Sequence, residues 1–232
     1  MLDEDMVTEF QLLISLLGGV IGGFGTKFLW NYYRRPVLDI RGVNIRKATN
    51  REGDITNAQY SVEIYNRGKS AASNCRARLH LEGRFDRTID TAEIEALGDQ
   101  EHVADGYEAS YNLPWREGRN SESVTINRGE TIEIELVTVD AGQDGPDSYI
   151  DLVFPQDPSR ADDTGAIQKQ KWGIDQGDSP VVEMVNRISR EDFEQIPWQT
   201  MVVEFSGERT SMIRRQLQIT WEQSVIPNIN LN

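Results

Sequence analysis

After Pro36 the apolar residues of this chain recur at every second position, and that period decides most of what it can fold into. Residues 37–45, 60–65, 77–81, 124–126, 131–139, 149–154, 201–205 and 217–221 alternate apolar with polar side chains, and glycine, asparagine, aspartate and proline punctuate the gaps. Successive side chains of a strand point to opposite faces, so each run buries one face and wets the other. That is the pattern of an antiparallel sheet. A parallel sheet, covered on both sides, needs continuous apolar runs with helical segments between them, and nothing here alternates strand with helix.

Two stretches interrupt the pattern. Residues 86–108, rich in Asp and Glu, read as a long loop or an inserted helical piece. Residues 155–197 are mostly polar and lie between Pro155 and Pro197. Within the second, Ser189 followed by Glu191 and Asp192 is a helix start and predicts one short helix. Long connections inside compact domains tend to carry function, so a binding surface is expected first in these two insertions. Eight short strands separated by turn residues predict a mainly β protein, an immunoglobulin-like antiparallel β-sandwich over residues 37–226, with a C-terminal tail at 227–232.

Upstream the period changes. Residues 10–30 are apolar and glycine-rich, and no charge lies between Leu12 and Phe24. About 20 residues at about 1.5 Å each match a hydrocarbon core of about 30 Å, so this segment predicts a single transmembrane helix and makes the lipid bilayer the first expected partner. Lys27, Trp30, Tyr32, Tyr33, Arg34 and Arg35 follow the composition of a membrane interface, with aromatic rings at headgroup level and cations reaching outward. Ser15, Gly18, Gly19, Gly22 and Gly23 give the helix small residues spaced four apart, a face that permits close packing and homodimerisation. Residues 1–9 form an acidic tail without Lys or Arg, and residues 31–36 a juxtamembrane linker that Pro36 ends. Lys and Arg accumulate on the C-terminal flank, so the positive-inside rule puts the large domain in the cytosol. An outward-facing adhesion protein requires that rule to fail.

The formal net charge is −14, with 38 Asp and Glu against 24 Lys and Arg, and only five of the basic residues are Lys. An acidic, lysine-poor surface stays soluble at high salt, and the composition is similar to that of haloarchaeal proteins. A structural protein of an archaeal virus or vesicle would share it. The same charge argues against nucleic acid as a partner, because phosphate binding needs a basic stripe. The single Cys75 excludes an internal disulfide.

No motif requires a cofactor, a metal or catalysis. Gly68, Lys69 and Ser70 end like a phosphate-binding loop, but Glu63 stands where its first glycine is required. His80 and His102 lack a second ligand four residues away. Asp140, Asp144, Asp147, Asp157, Asp162 and Asp163 crowd two loops without the spacing of a calcium loop. Trp198 and Trp221 fall in the last strands and read as core, whereas Trp115 and Trp172 lie in loop-like sequence and are candidate contacts for a protein partner.

Asn66 and Gly68, then Ala71, Ala72, Asn74 and Cys75 between two strands, resemble the CARDB-like group of prokaryotic immunoglobulin-type domains. Ile126, Asn127, Arg128, Gly129, Glu130 and Thr131 are similar to a later turn of the same group. The resemblance spans about residues 37–140. It implies a binding or spacer module with no catalytic residues to carry over. Gly68 and Gly129 are expected to supply backbone conformations closed to residues with a Cβ. The expectation is a membrane-tethered, non-catalytic interaction or scaffold module.

Overall fold

The computed structural model describes residues 34–87, 103–116, 122–144, 147–156, 158, 165, 167–173, 181–222, 224 and 226–232. The apolar segment 10–30 and the tail before it lie outside these residues. Among the described residues no helix is long and apolar enough to cross a membrane.

In chain order the strands begin with β1 (Leu38–Thr49), β2 (Ile55–Asn66), β3 (Ala72–Arg87), β4 (Val103–Asn112), β5 (Val124–Ile126), β6 (Thr131–Asp144) and β7 (Asp147–Val153). They continue with β8 (Ile167–Gly173), β9 (Val181–Val185) and β10 (Arg187–Ser189). The helix α1 (Arg190–Gln195), β11 (Trp198–Ser206), β12 (Ile213–Thr220) and β13 (Asn228–Leu231) complete the chain. Two antiparallel sheets pack as a sandwich. One has the order β1-β2-β6-β7-β10; the other runs β13-β12-β11-β3-β4-β8-β9, with β5 alongside β3.

The core forms where the inward positions of both sheets meet. Ala58, Tyr60, Val62 and Ile64 of β2 face Ala77, Leu79 and Leu81 of β3 across one contiguous cluster that also holds Phe154, Val203, Phe205 and Leu217. Strand β6 contributes Ile132, Ile134 and Leu136, then Val137, Val139 and Ala141, all buried. Its inward parity flips between Leu136 and Val137. The register explains how: Tyr60 pairs with Val137 while Ser61 pairs with Glu135, so Leu136 is the extra residue of a β-bulge. Without that residue, everything after it would turn its apolar side outward.

The two presumed insertions contain much of the second sheet. Asp86 and Arg87 complete β3, and residues 103–108 open β4, which pairs with β3 from Arg78↔Asn112 to Arg87↔Val103. Residues 155–197 hold β8, β9, β10 and α1. In β4 the inward set is Tyr107, Ala109 and Tyr111, whose small and hydroxylated members blur the alternation. In β8, Gln168, Lys169, Gln170 and Lys171 leave little apolar signal at all. Residues 227–232 are no tail either: β13 pairs with β12 from Leu217↔Leu231 to Thr220↔Asn228, and the Tyr60 hydroxyl donates to the Pro227 carbonyl at 2.5 Å. The helix start at Ser189 stands as expected, its Oγ accepting from the Asp192 N–H at 3.0 Å.

Candidate functional site

Asn66, at the end of β2, has every polar atom of its side chain bonded. It has no solvent exposure. Its Nδ2 donates to the carbonyls of Ser70 at 2.8 Å and Ile126 at 2.9 Å, and its Oδ1 accepts from the N–H of Gly68 at 3.0 Å and of Val37 at 3.3 Å. Two donors and two acceptor sites are thereby all used, the condition for burying an amide without cost. Its backbone joins β6 as well, donating to the Glu130 carbonyl at 3.1 Å and accepting from Gly129 at 2.9 Å.

Around this amide the turn 66–70 grips the chain where it enters the domain. Arg67 N–H donates to the Val37 carbonyl at 2.9 Å, Lys69 N–H to Arg35 at 3.4 Å, and the Ser70 hydroxyl to Arg34 at 2.5 Å. Pro36 is buried between them and, lacking an N–H, leaves no donor unpaired. Gly68 is required by closeness, not by its backbone angle: a Cβ there would meet the Val37 nitrogen and come within 2.6 Å of the Pro36 Cα. That corrects the expectation for Gly68, while Gly129, at φ +77°, does adopt the left-handed conformation foreseen for it.

Strand direction brings four connections to this end: residues 34–37, the turn 66–71, the turn 127–130 and the β11–β12 turn 207–212. The last is tied to the start of β3 by the Glu208 N–H, which donates to the Ser73 carbonyl at 2.8 Å. Arg34, Arg35, Arg67, Lys69, Arg128 and Arg209 are exposed here, and Met212, 58% exposed, stands beside them. The described acidic groups here each have a partner: Asp39 with Arg67 at 3.8 Å, Glu122 with Arg76 at 3.9 Å, Glu130 with the Asn127 N–H at 2.6 Å, and Glu208 with the Asn74 amide. Among the described residues the opposite end carries Glu52 and Asp54 beside Arg51 in the β1–β2 turn, Glu191, Asp192 and Glu194 beside Arg190 on α1, and Glu222. Among the described residues, cations therefore outnumber acids at the first end and acids outnumber cations at the second. The sequence alone singles out Arg34 and Arg35 among these cations; Arg67 and Lys69 share one turn and Arg128 and Arg209 lie in two others, and the antiparallel direction of the strands is the one signal that gathers them.

Other polar groups are structural in character. On the outer face of the five-stranded sheet, Glu133 accepts from Arg116 and from Ser61 Oγ at 3.4 Å, and pairs with Arg46 at 3.3 Å. Burial pushes its carboxyl up, but the hydrogen bond and charge of Arg116, the charge of Arg46 and the Ser61 hydroxyl together bring it below the ordinary value. Arg187 likewise joins Asp140 at 2.9 Å and Asp151 at 3.1 Å across three strands. Ser110 and His80 are cross-strand partners, 3.1 Å apart, on the flat outer face of the other sheet. His80 is held below its ordinary value by burial and by Arg214 and Arg78 against the opposing charge of Glu204, and its Nε2 is buried without a partner. Glu204 acts on the ring through its charge and not through a hydrogen bond to that nitrogen. Burial pushes the Cys75 thiol up to about 11 and it donates to the Ala72 carbonyl at 3.3 Å, so it remains protonated and unreactive. A cavity of about 520 Å³ between β7 and α1 is lined by Tyr149, Asp151, Ser189, Arg190 and Glu194, and its Arg190 is committed to Glu194 at 3.1 Å and to the Trp221 ring at 5.2 Å. Among the described residues no three His, Cys, Asp or Glu side chains converge as a metal site.

The remaining sequence-derived candidates fall as follows. Ser15, Gly18, Gly19, Gly22, Gly23, Lys27, Trp30, Tyr32 and Tyr33 lie outside the described residues, as do His102, Asp157, Asp162 and Asp163. Trp172 lies in β8 opposite Ala104. Trp115 is 1% exposed, so its indole belongs to the core and is not offered to a partner. The reason is a strand switch. Leu113 N–H donates to Ala77 in one sheet at 2.8 Å, and two residues later Trp115 bridges Ile134 in the other. The loop-like sequence thus crosses the gap between sheets and its ring fills it. The chain matches no protein-family model, and no curated protein or solved structure is significantly similar to it.

Proposed function

We propose that this chain is a membrane-tethered, non-catalytic interaction module: an immunoglobulin-like sandwich held on the cytosolic side by an N-terminal helix at residues 10–30. The observation that carries the reading is the grip of turn 66–70 on residues 34–37. A leash between anchor and domain would need no such bonds, whereas a module whose position at a surface matters needs its point of attachment fixed. Strand order supports the immunoglobulin-like part. β1-β2-β6 and β12-β11-β3 correspond to strands A-B-E and G-F-C of that architecture, with β7 to β10 added between E and F. The small residues Ser15, Gly18, Gly19, Gly22 and Gly23 give such a helix a face for pairing with a second copy.

Protease protection of a tag fused after Asn232 tests the reading. In intact cells the tag should resist protease while remaining in the membrane fraction, and opening the membranes should expose it. Digestion in intact cells would move the domain outside and replace this reading with a surface or adhesion role. A tag recovered in the soluble fraction would remove the anchor.

A further inference from the structure

The cations of the gripped end lie on four segments that are far apart in sequence and close in the fold, in a chain whose net charge is −14. Their position relative to the apolar segment is constrained. Only residues 31–33 separate Trp30 from Arg34, and four residue steps span at most about 14 Å. From Arg34 onward the chain is bonded into the sandwich, so no further slack exists. The headgroup layer on one side of a bilayer is roughly 5–8 Å deep, and the Debye length at physiological salt is about 8 Å. An anchor at residues 10–30 therefore holds this end, and not the acidic one, within electrostatic range of lipid headgroups.

We propose that this end docks flat on an anionic lipid surface, through Arg34, Arg35, Arg67, Lys69, Arg128 and Arg209, with Met212 entering the headgroup layer. The proposal rests on the membrane-tethered reading and deepens it by naming the surface the domain faces. Arginine suits the role because its guanidinium binds phosphate oxygens in a bidentate fork. Met212 is one of two large apolar side chains that are strongly exposed among the described residues; the other, Ile45, lies within β1. An unbranched, polarisable side chain at the tip of a turn can enter a disordered headgroup layer without demanding a shaped pocket. The acidic end, by the same geometry, points away from the lipid.

The test uses the full chain carrying Met212→Cys, labelled with an environment-sensitive fluorophore and reconstituted into vesicles. Cys75 is buried, so the unsubstituted chain serves as the labelling control. In vesicles containing about 30 mol% phosphatidylglycerol the probe should shift to the blue and lose about half its signal to a headgroup-labelled quencher. In phosphatidylcholine it should keep the emission of a water-exposed probe. Arg67→Glu, Lys69→Glu and Arg128→Glu together should abolish the shift, and the comparison of the two lipids decides the matter even where that triple variant does not fold. Protein that resists carbonate extraction yet shows a water-exposed probe in both lipids would overturn the docking and leave the anchor standing. Protein extracted by carbonate would withdraw anchor and docking together.

Discussion

Asn66 shows how much of the architecture a single side chain can hold. Asn66→Ala leaves two carbonyls and two amide N–H groups, two of them fully buried, without their partner, and should lower stability by about 3 kcal/mol in urea denaturation. Gly68→Ala acts on the same joint from outside, by forcing Pro36 and Val37 away from the turn. Its signature should be faster hydrogen exchange at the Arg67 and Lys69 amides, with the core amides of β2 unchanged. Two titrating groups make the acid side of the stability curve predictable. Glu133 is held below 4.5 in the fold, so the stability it adds is present above that value and is lost as pH falls through its folded value. His80, held below 6.5, is favoured neutral, and its contribution is likewise present above 6.5 and lost as pH falls toward the folded value. Glu133→Gln and His80→Gln should each flatten the pH dependence of the urea midpoint, the first just below pH 4.5 and the second just below pH 6.5.

At the scale of elements the bulge in β6 is the sharpest case. Leu136→Ala leaves the register intact and should cost about 2–5 kcal/mol, as for any buried leucine. Deleting Leu136 instead turns Val137, Val139 and Ala141 outward, and the expected result is loss of the cooperative thermal transition. The doublet of Leu136 and Val137 announces this phase change in the sequence, and β2 and β3, whose inward residues are large and aliphatic, could be read directly. β4 and β8 could not, because the inward residues of β4 are an alanine between two tyrosines and β8 is rich in glutamine and lysine. β13, four residues long and half asparagine, gains its place from pairing with β12 and from the single core residue Ile229. The joint at residues 34–37 was legible as an Asn66 and Gly68 turn, but its partner in the chain was not. A hydrogen bond between residues 29 apart leaves no local pattern. Trp115 was misread for a similar reason, since a strand that changes sheets has no period of its own.

For the whole molecule the net charge of −14 sets a cost that salt relieves. Screening between about 0.1 M and about 1 M salt shortens the reach of surface repulsion from about 10 Å to about 3 Å. The thermal midpoint should therefore rise with potassium chloride, by about 2–4 °C for each kcal/mol gained in a domain of this size. A midpoint that falls with salt would mean that ion pairs such as Arg187 with Asp140 and Asp151 outweigh the repulsion. The joint at residues 34–37 has one more implication for a tethered protein of the kind proposed. Because the turn holds residues 34–37 to the sandwich, any slack between an anchor and the domain is confined to residues 31–33. The length of those three residues is thereby a standoff: each residue inserted among them would let the sandwich rise from the surface by at most about 3.5 Å.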